Sequence, residues 1–319
     1  MILNSILLIV GFIVLIKGAD IFVDGASSVA GNFKVPKILI GLTIVAFGTS
    51  APEFAVSVKS IISNNHDIVL GNVIGSNILN ILLILGITSL IRPLMVNDNT
   101  VKKELPMMIL MMTILGTVLS DSVFDKGMVN NFPRTDGIVV LLFFSVFVYY
   151  LVKMALRSRK NNELEKEEIM PLTKSIIYTV LGIAMITIGS NLVVDKASNI
   201  ATILGVSQKM IGLTIIAFGT SLPELVTSIT AARKGESDLA IGNIVGSNIF
   251  NIGIVMGIPV TIFGGINTIN FNALDLLVML ISSLLLFVFL LNDRKLSKKE
   301  GIVFLIIFVV YYSYVIISG

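Results

Sequence analysis

The chain has 319 residues, of which 55% are apolar and 13% charged, against about 25% charged in a soluble domain. The net charge of +3 is carried by short loops, so it is no sign of nucleic-acid binding. The absence of cysteine excludes disulfides, thiolate metal sites and cysteine nucleophiles. Apolar runs recur along the whole length, and the chain reads as an all-α polytopic membrane protein whose bulk partner is the lipid bilayer.

Ten helical spans are predicted, at 2–29, 36–63, 67–91, 104–120, 136–155, 172–200, 207–232, 238–263, 273–292 and 300–318, each near the roughly 20 residues that cross the hydrocarbon. The first run has no basic residue before it, and Lys17 lies after it, the reverse of a secretory signal, so it is read as a retained span. The fourth span is short and rich in methionine, which is read as packing rather than metal ligation. Loops after odd-numbered spans carry 17 Lys and Arg, and loops after even-numbered spans carry 5. That bias places the odd loops in the cytoplasm and both termini outside a plasma membrane. Five spans per half then make the second half enter from the opposite side. The expected architecture is two inverted five-helix repeats with broken helices at the centre, the plan of many secondary transporters. The parts are a first repeat at 1–156, a charged cytoplasmic linker at 157–171 and a second repeat at 172–319.

The repeat is visible directly. Gly41 to Ser57 reads GLTIVAFGTSAPEFAVS and Gly212 to Ser228 reads GLTIIAFGTSLPELVTS, identical at 12 of 17 positions. GNVIGSNILNILLILG at 71–86 and GNIVGSNIFNIGIVMG at 242–257 follow at the same offset of 171. The motifs thus span 41–86 and 212–257. Each first segment puts a glutamate, Glu53 or Glu224, inside an apolar run, where a carboxylate is costly and marks a functional site. Gly48 weakens its helix, and Pro52, without an amide hydrogen, frees a carbonyl of the preceding turn. In a membrane that carbonyl needs a substitute donor or a cation. Phe218 to Glu224 repeats the device. Ser50-x-x-Glu53 and Ser221-x-x-Glu224 also fit a capping box. Capping explains a helix start but not a start inside a span with a charged residue, so the functional reading is preferred.

The second segments supply Asn72, Ser76, Asn77 and Asn80, with Asn243, Ser247, Asn248 and Asn251 as counterparts. Ser76 and Asn80 share a helical face, as do Ser247 and Asn251. Gly71 and Gly75, and Gly242 and Gly246, form GxxxG pairs read as close-packing positions. Carboxylates, amides and hydroxyls without thiolate suit a hard cation. A dehydrated cage of this kind fits calcium or sodium better than magnesium, which keeps its waters. Two ionised glutamates are neutralised by one Ca²⁺ or by two Na⁺, so an empty site is a poor state in which to change access, and exchange is favoured over leak. Asp24 and Asp195 are read as carboxylates near helix ends rather than on the ion path, and His66, the one histidine, is given no role. There is no nucleophile–base pair or nucleotide motif, so the chain is not read as an enzyme, and no cofactor is expected.

The paired GTSxPE and GNxxGSNxxN motifs resemble the α-repeats of the sodium/calcium exchanger, or cation/calcium antiporter, superfamily, in its compact prokaryotic branch without a cytosolic regulatory domain. The resemblance covers essentially the whole chain. It implies an Na⁺/Ca²⁺ antiporter working by alternating access, as a monomer, with long first and sixth helices sliding against a core bundle. It implies that Glu53 and Glu224 bridge the calcium and sodium sites. Ser50, Ser76, Ser221 and Ser247 would supply hydroxyls, with Thr49 and Thr220 beside them. The carbonyls of Ala46 and Ala217 would serve the outer sodium sites, and Asn80 and Asn251 would complete the centre. Three sodium ions for one calcium would move one net charge, worth about 2.3 kcal/mol per 100 mV. Asn251 departs from those members that carry Asp there, including much of the potassium-dependent branch, which argues against potassium co-transport and leaves stoichiometry open. A Ca²⁺/H⁺ antiporter using the same glutamates is the alternative. Proton-coupled relatives usually show a GNxxE-type motif, whereas GNVIGSN and GNIVGSN stand here. A cation channel is a third reading.

Overall fold

The computed structural model describes residues 1–121, 130–161, 170–206, 215, 217–267 and 273–318. It is a mostly helical bundle. Helix α1 covers Ile2–Phe33. Helices α2 (Lys37–Thr49) and α3 (Ala51–Ile62) form one apolar pair bent by 46° at Ser50. Helix α4 covers His66–Ile91, α5 residues 100–118, α6 Arg134–Asn161 and α7 Leu172–Ile203. The second half continues with the short α8 (Ala217–Thr220), α9 (Leu222–Lys234), α10 (Ser237–Phe263), α11 (Ala273–Asp293) and α12 (Lys298–Ser318).

Among the described residues, seven helices are long and apolar enough to cross a membrane, or eight if the bent pair counts as one span. The expected fourth span is shorter: its regular part, Leu105–Val118, has 14 residues. The expected seventh span begins outside the described residues, as does most of the charged linker. The other predicted spans coincide with helices to within six residues at each end.

Helix α10 is the most enclosed of the long helices, with 89% of its apolar window buried, and α12 the least, with 11%. That contrast puts the second GNxxGSN segment at the centre and the last helix at the lipid-facing rim. Helices α1 and α7 lie against each other through glycines two turns apart. A Cβ at Gly182 would sit 2.6 Å from Phe22 Cα, and one at Gly189 2.6 Å from the Leu15 amide nitrogen. Only hydrogen fits at such a seam, so the two long helices touch backbone to backbone.

The second GxxxG pair forms a close seam. A Cβ at Gly246 would meet Ala46 Cβ at 2.7 Å, and one at Gly242 would meet Gly41 Cα at 2.9 Å. A Cβ at Gly71 or Gly75 would meet nothing within 4 Å among the described residues. The packing reading therefore holds for the second pair, where α10 lies against α2; for the first pair, residues 212 and 213, the counterparts of Gly41 and Leu42, lie outside the described residues. Two short antiparallel bridges join the halves. Strand β1 (Leu94–Met95) pairs with β4 (Lys295–Leu296), and β2 (Asn131–Phe132) with β3 (Ile266–Asn267).

Candidate functional site

Both glutamates start a helix at an interruption. Ser50 (φ −83°, ψ 7°) separates α2 from α3, and Ser221 (φ −87°, ψ 2°) separates α8 from α9, each followed by proline at the helix start. Neither serine makes a side-chain capping bond to its own helix. Ser50 Oγ instead donates to Glu224 Oε1 across the repeat (3.1 Å), and Ser247 Oγ reaches the same oxygen at 3.4 Å. The capping-box reading is thereby set aside: the first serine serves the opposite glutamate. Ser221 Oγ lies 3.4 Å from Ser76 Oγ.

The freed carbonyl finds a donor in one half. Ser190 on α7 donates to the Gly219 carbonyl at 3.0 Å. Gly219 is the counterpart of Gly48, whereas the counterpart of Ser190 is Ala19, which has no hydroxyl. The Ala46 carbonyl accepts the Ser50 amide at 3.0 Å and the Thr49 hydroxyl at 3.3 Å. Ala217 opens the short helix α8.

The amides of the second segments hold the broken helices. Asn72 Nδ2 donates to the Glu53 carbonyl (2.9 Å) and to Ser57 Oγ (3.0 Å). Asn243 Nδ2 donates to the Glu224 carbonyl (3.3 Å) and to Ser228 Oγ (2.9 Å). Asn243 also accepts Thr49 Oγ1 at 3.0 Å. These clamps fix where each glutamate's backbone lies. Asn72 and Asn243 stood out in the sequence as repeated amides, but Ser57 and Ser228 did not, and only the folded contact assigns any of them a task.

Further along, α4 and α10 each widen into a π-type turn, over Asn80–Leu85 and Asn251–Met256. Such turns often accompany functional sites, and here each begins at a predicted ligand. Asn80 Nδ2 donates to Asn248 Oδ1 (2.9 Å), and Asn251 Nδ2 donates to Asn77 Oδ1 (3.1 Å).

Glu53, Glu224, Thr49, Ser50, Ser76, Ser221, Ser247, Asn80 and Asn251 are all buried, and Thr220 is half-buried. Five buried oxygens in this group have no hydrogen-bond partner among the described residues: both Glu53 Oε atoms, Glu224 Oε2, Asn80 Oδ1 and Asn251 Oδ1. All five accept and none donates. Buried polar atoms are nearly always partnered, and leaving several acceptors bare is costly. A cation is the partner that such a set lacks. Among the described residues no group of three or more His, Cys, Asp or Glu side chains could hold a metal, so the negative charge at this centre comes from two glutamates and the remaining oxygens are neutral.

Two crevices reach the serines from either side. One, of about 210 Å³, is lined by Phe47, Ser50, Phe54, Phe250 and Ile254 among others. The other, of about 30 Å³, is lined by Leu79, Leu83, Phe218, Ser221 and Leu225 among others. The two linings occupy equivalent repeat positions.

The helices and this centre define a multi-pass membrane protein with an oxygen-rich cluster buried among its spans. A sequence profile described as sodium/calcium exchanger protein matches residues 3–153 and 174–317. The chain belongs to that family, a family of transporters rather than of enzymes. The chain is 38% identical over 310 residues to inner membrane protein YrbG of Escherichia coli, covering 94% of this chain and 92% of the relative. It is 30% identical to the sodium/calcium exchanger MaX1 of Methanosarcina acetivorans, covering 97% of each chain. The solved structure of the sodium-calcium exchanger NCX_Mj, soaked with Na⁺ and Sr²⁺, superposes with a TM-score of 0.83 at 32% identity, covering 98% of each chain.

Proposed function

We propose that the chain exchanges Na⁺ for Ca²⁺ across the plasma membrane by alternating access. The observation that carries this is the set of five partnerless acceptor oxygens on Glu53, Glu224, Asn80 and Asn251. Membership of the exchanger family, and the name of NCX_Mj as a sodium-calcium exchanger, support the same reading. The proposed architecture is ten spans in two inverted five-helix halves, 1–156 and 172–319, joined by a cytoplasmic linker at 157–171. Both termini lie outside, and the monomer is the working unit.

In this reading Glu53 and Glu224 supply two negative charges, and one Ca²⁺ or two Na⁺ neutralise them. Asn80 and Asn251 add neutral oxygens, which suit a dehydrated hard cation. Ser50, Ser76, Ser221 and Ser247, with Thr49 and Thr220, and the carbonyls of Ala46 and Ala217, extend the ligand set for sodium. Exchange near three Na⁺ for one Ca²⁺ moves one net charge, so the membrane potential drives it by about 2.3 kcal/mol per 100 mV.

The test is radioactive calcium uptake into proteoliposomes loaded with sodium and diluted into sodium-free buffer. Uptake should require internal sodium and vanish in both E53Q and E224Q. Uptake that ignores sodium but follows a proton gradient would replace this reading with Ca²⁺/H⁺ exchange. Channel-like flux that survives both substitutions would sink it.

A further inference from the structure

An asparagine offers a cation either a useful carbonyl or a repelling NH₂, depending on which way its amide is turned. The structure contains a device that decides this in both halves. Asn248 Nδ2 points to Met108 Sδ (3.5 Å), and Asn77 Nδ2 points to Met279 Sδ (3.8 Å). Asn77 Nδ2 also faces the Asn248 carbonyl at 3.5 Å. A thioether carries no hydrogen on sulfur and can only accept. The NH₂ end of each amide therefore belongs on the sulfur side, which leaves its Oδ1 facing the other way. Those Oδ1 atoms accept from Asn80 (2.9 Å) and Asn251 (3.1 Å). With their NH₂ groups so occupied, Asn80 and Asn251 are left with free carbonyl oxygens, two of the five partnerless acceptors.

Met108 and Met279 are themselves 171 residues apart and both fully buried, so the arrangement repeats with the motifs. We propose that Met108–Asn248–Asn80 and Met279–Asn77–Asn251 are orienting relays, in which Asn77 and Asn248 are positioning residues that turn the ligand amides oxygen-first toward the cation. The relays rest on the cation-site reading above and add to it a role for four residues outside the ligand set. They also explain how a centre with Asn at 251 presents oxygen there: an amide needs a fixed orientation, whereas a carboxylate presents oxygen either way it turns.

The test uses the full-length protein and Ca²⁺ itself, with binding measured by equilibrium dialysis of the radioactive ion and folding by thermal melting. N77L should weaken Ca²⁺ binding by about 10–100-fold, the usual cost of losing a group that orients a metal ligand. N251D should then strengthen binding far more in the N77L background than in wild type, because the carboxylate no longer needs orienting. An added negative charge acting alone would strengthen both backgrounds equally, so the difference isolates orientation. Unchanged affinity in N77L, or an equal gain from N251D in the two backgrounds, overturns the relay. If N77L does not fold, the near-isosteric pair M108L/M279L decides: a several-fold loss is expected, and wild-type affinity refutes the proposal. Wild-type protein that binds no Ca²⁺ takes down the exchanger reading and the relay together, an outcome distinct from an indifferent N77L.

Discussion

The two halves of the molecule match in what holds the glutamates and differ in what surrounds them. Asn72 and Asn243 clamp the two broken helices through the same pairs of contacts. The asparagine relays and the wide turns recur as well. Yet Glu224 Oε1 accepts the Ser50 and Ser247 hydroxyls at 3.1 and 3.4 Å, whereas the Thr220 and Ser221 hydroxyls stand beside Glu53 without closing to a hydrogen bond of that length. One crevice has about 210 Å³ and its counterpart about 30 Å³. An ionic cluster also ties α1 to the start of the second bundle segment. Lys234 Nζ reaches Asp24 Oδ1 at 2.7 Å and the Asp20 carbonyl at 2.8 Å, and Glu236 accepts both Ser27 Oγ (3.0 Å) and Lys37 Nζ (2.9 Å). The repeat counterparts of Lys234 and Glu236 are Ser63 and Asn65, so the same tie cannot form there. The lesson is that the repeat copies the chemistry of the centre, while side chains outside the motifs set how each side closes over it.

Glycine substitutions test this most severely. G246A forces a methyl to within 2.7 Å of Ala46 Cβ and 2.9 Å of Leu42 Cα, and should destabilise the protein by about 1–3 kcal/mol. G116A, on α5, puts its methyl at an ordinary 3.5 Å from Leu280 Cδ1 and should be neutral or stabilising by up to about 1 kcal/mol through helix propensity. Thermal unfolding in detergent separates them. Equal effects would mean that the close approach of α10 to α2 at Gly246 carries no stability.

The clamps give a smaller difference. N72A removes the two bonds that its amide donates, while N243A also removes the acceptor for Thr49 Oγ1. Thr49 keeps the Val45 and Ala46 carbonyls as acceptors at 3.1 and 3.3 Å, so N243A should cost up to about 1 kcal/mol more than N72A, less than one full buried hydrogen bond. Matched melting curves read it. Equal costs would place the Thr49 contact outside the stability balance and make the two clamps equivalent after all.

The ionic cluster sits at the end of the molecule where the smaller crevice lies. Helix α10 begins beside Glu236, and the larger crevice is lined by residues 250–258 toward its far end. Helix α4 ends at Ile91, next to Arg92, which a Cβ on Gly235 would approach at 3.0 Å, and the smaller crevice is lined by its later residues Leu79, Leu83 and Ile84. Because the chain has no cysteine, A51C and L222C report on the two crevices with thiol reagents. A51C should label faster. K234M should raise the labelling of L222C by up to about fivefold, the worth of a partly exposed ion pair. Labelling indifferent to K234M would show that the tie plays no part in closure.

Much of this centre was legible in the sequence, because an offset of 171 without gaps brings Glu53, Glu224, Asn80 and Asn251 into register by eye. Amide direction was not, since it depends on Met108 meeting Asn248 across 140 residues, and no spacing encodes that. A second repeated device escaped for a different reason. Tyr150 donates to Glu104, and Tyr311 donates to Asp275 at 2.8 Å, binding the last helix of each half to the one before it. Glu104 and Asp275 are 171 apart, but the tyrosines are 161 apart, because 46 positions separate Glu104 from Tyr150 and only 36 separate Asp275 from Tyr311. A gapless comparison cannot pair them.

The smallest expected effect lies outside the membrane, in another contact between the halves. Asp98, in the connection after α4, takes Lys102 Nζ (2.7 Å) from its own half and Arg294 Nε (2.7 Å) from the other. Hydrogen bonds to these two cations hold its carboxyl down to about 2, below the usual value of about 3.9. A carboxylate depressed by folding adds stability that is fully present above its unfolded value and lost as pH falls through the folded one. The wild type should therefore exceed D98N slightly in melting temperature at pH 5 and above, and the gap should close between about pH 4 and pH 2. High salt should shrink it as well, because the pair is exposed and screened. The backbone hydrogen bonds of the β1–β4 bridge between the same connections carry no titrating group and depend little on acid or salt. A gap that persists at pH 2 would assign the stability of this junction to that backbone pairing and remove Asp98 from what distinguishes the two ends.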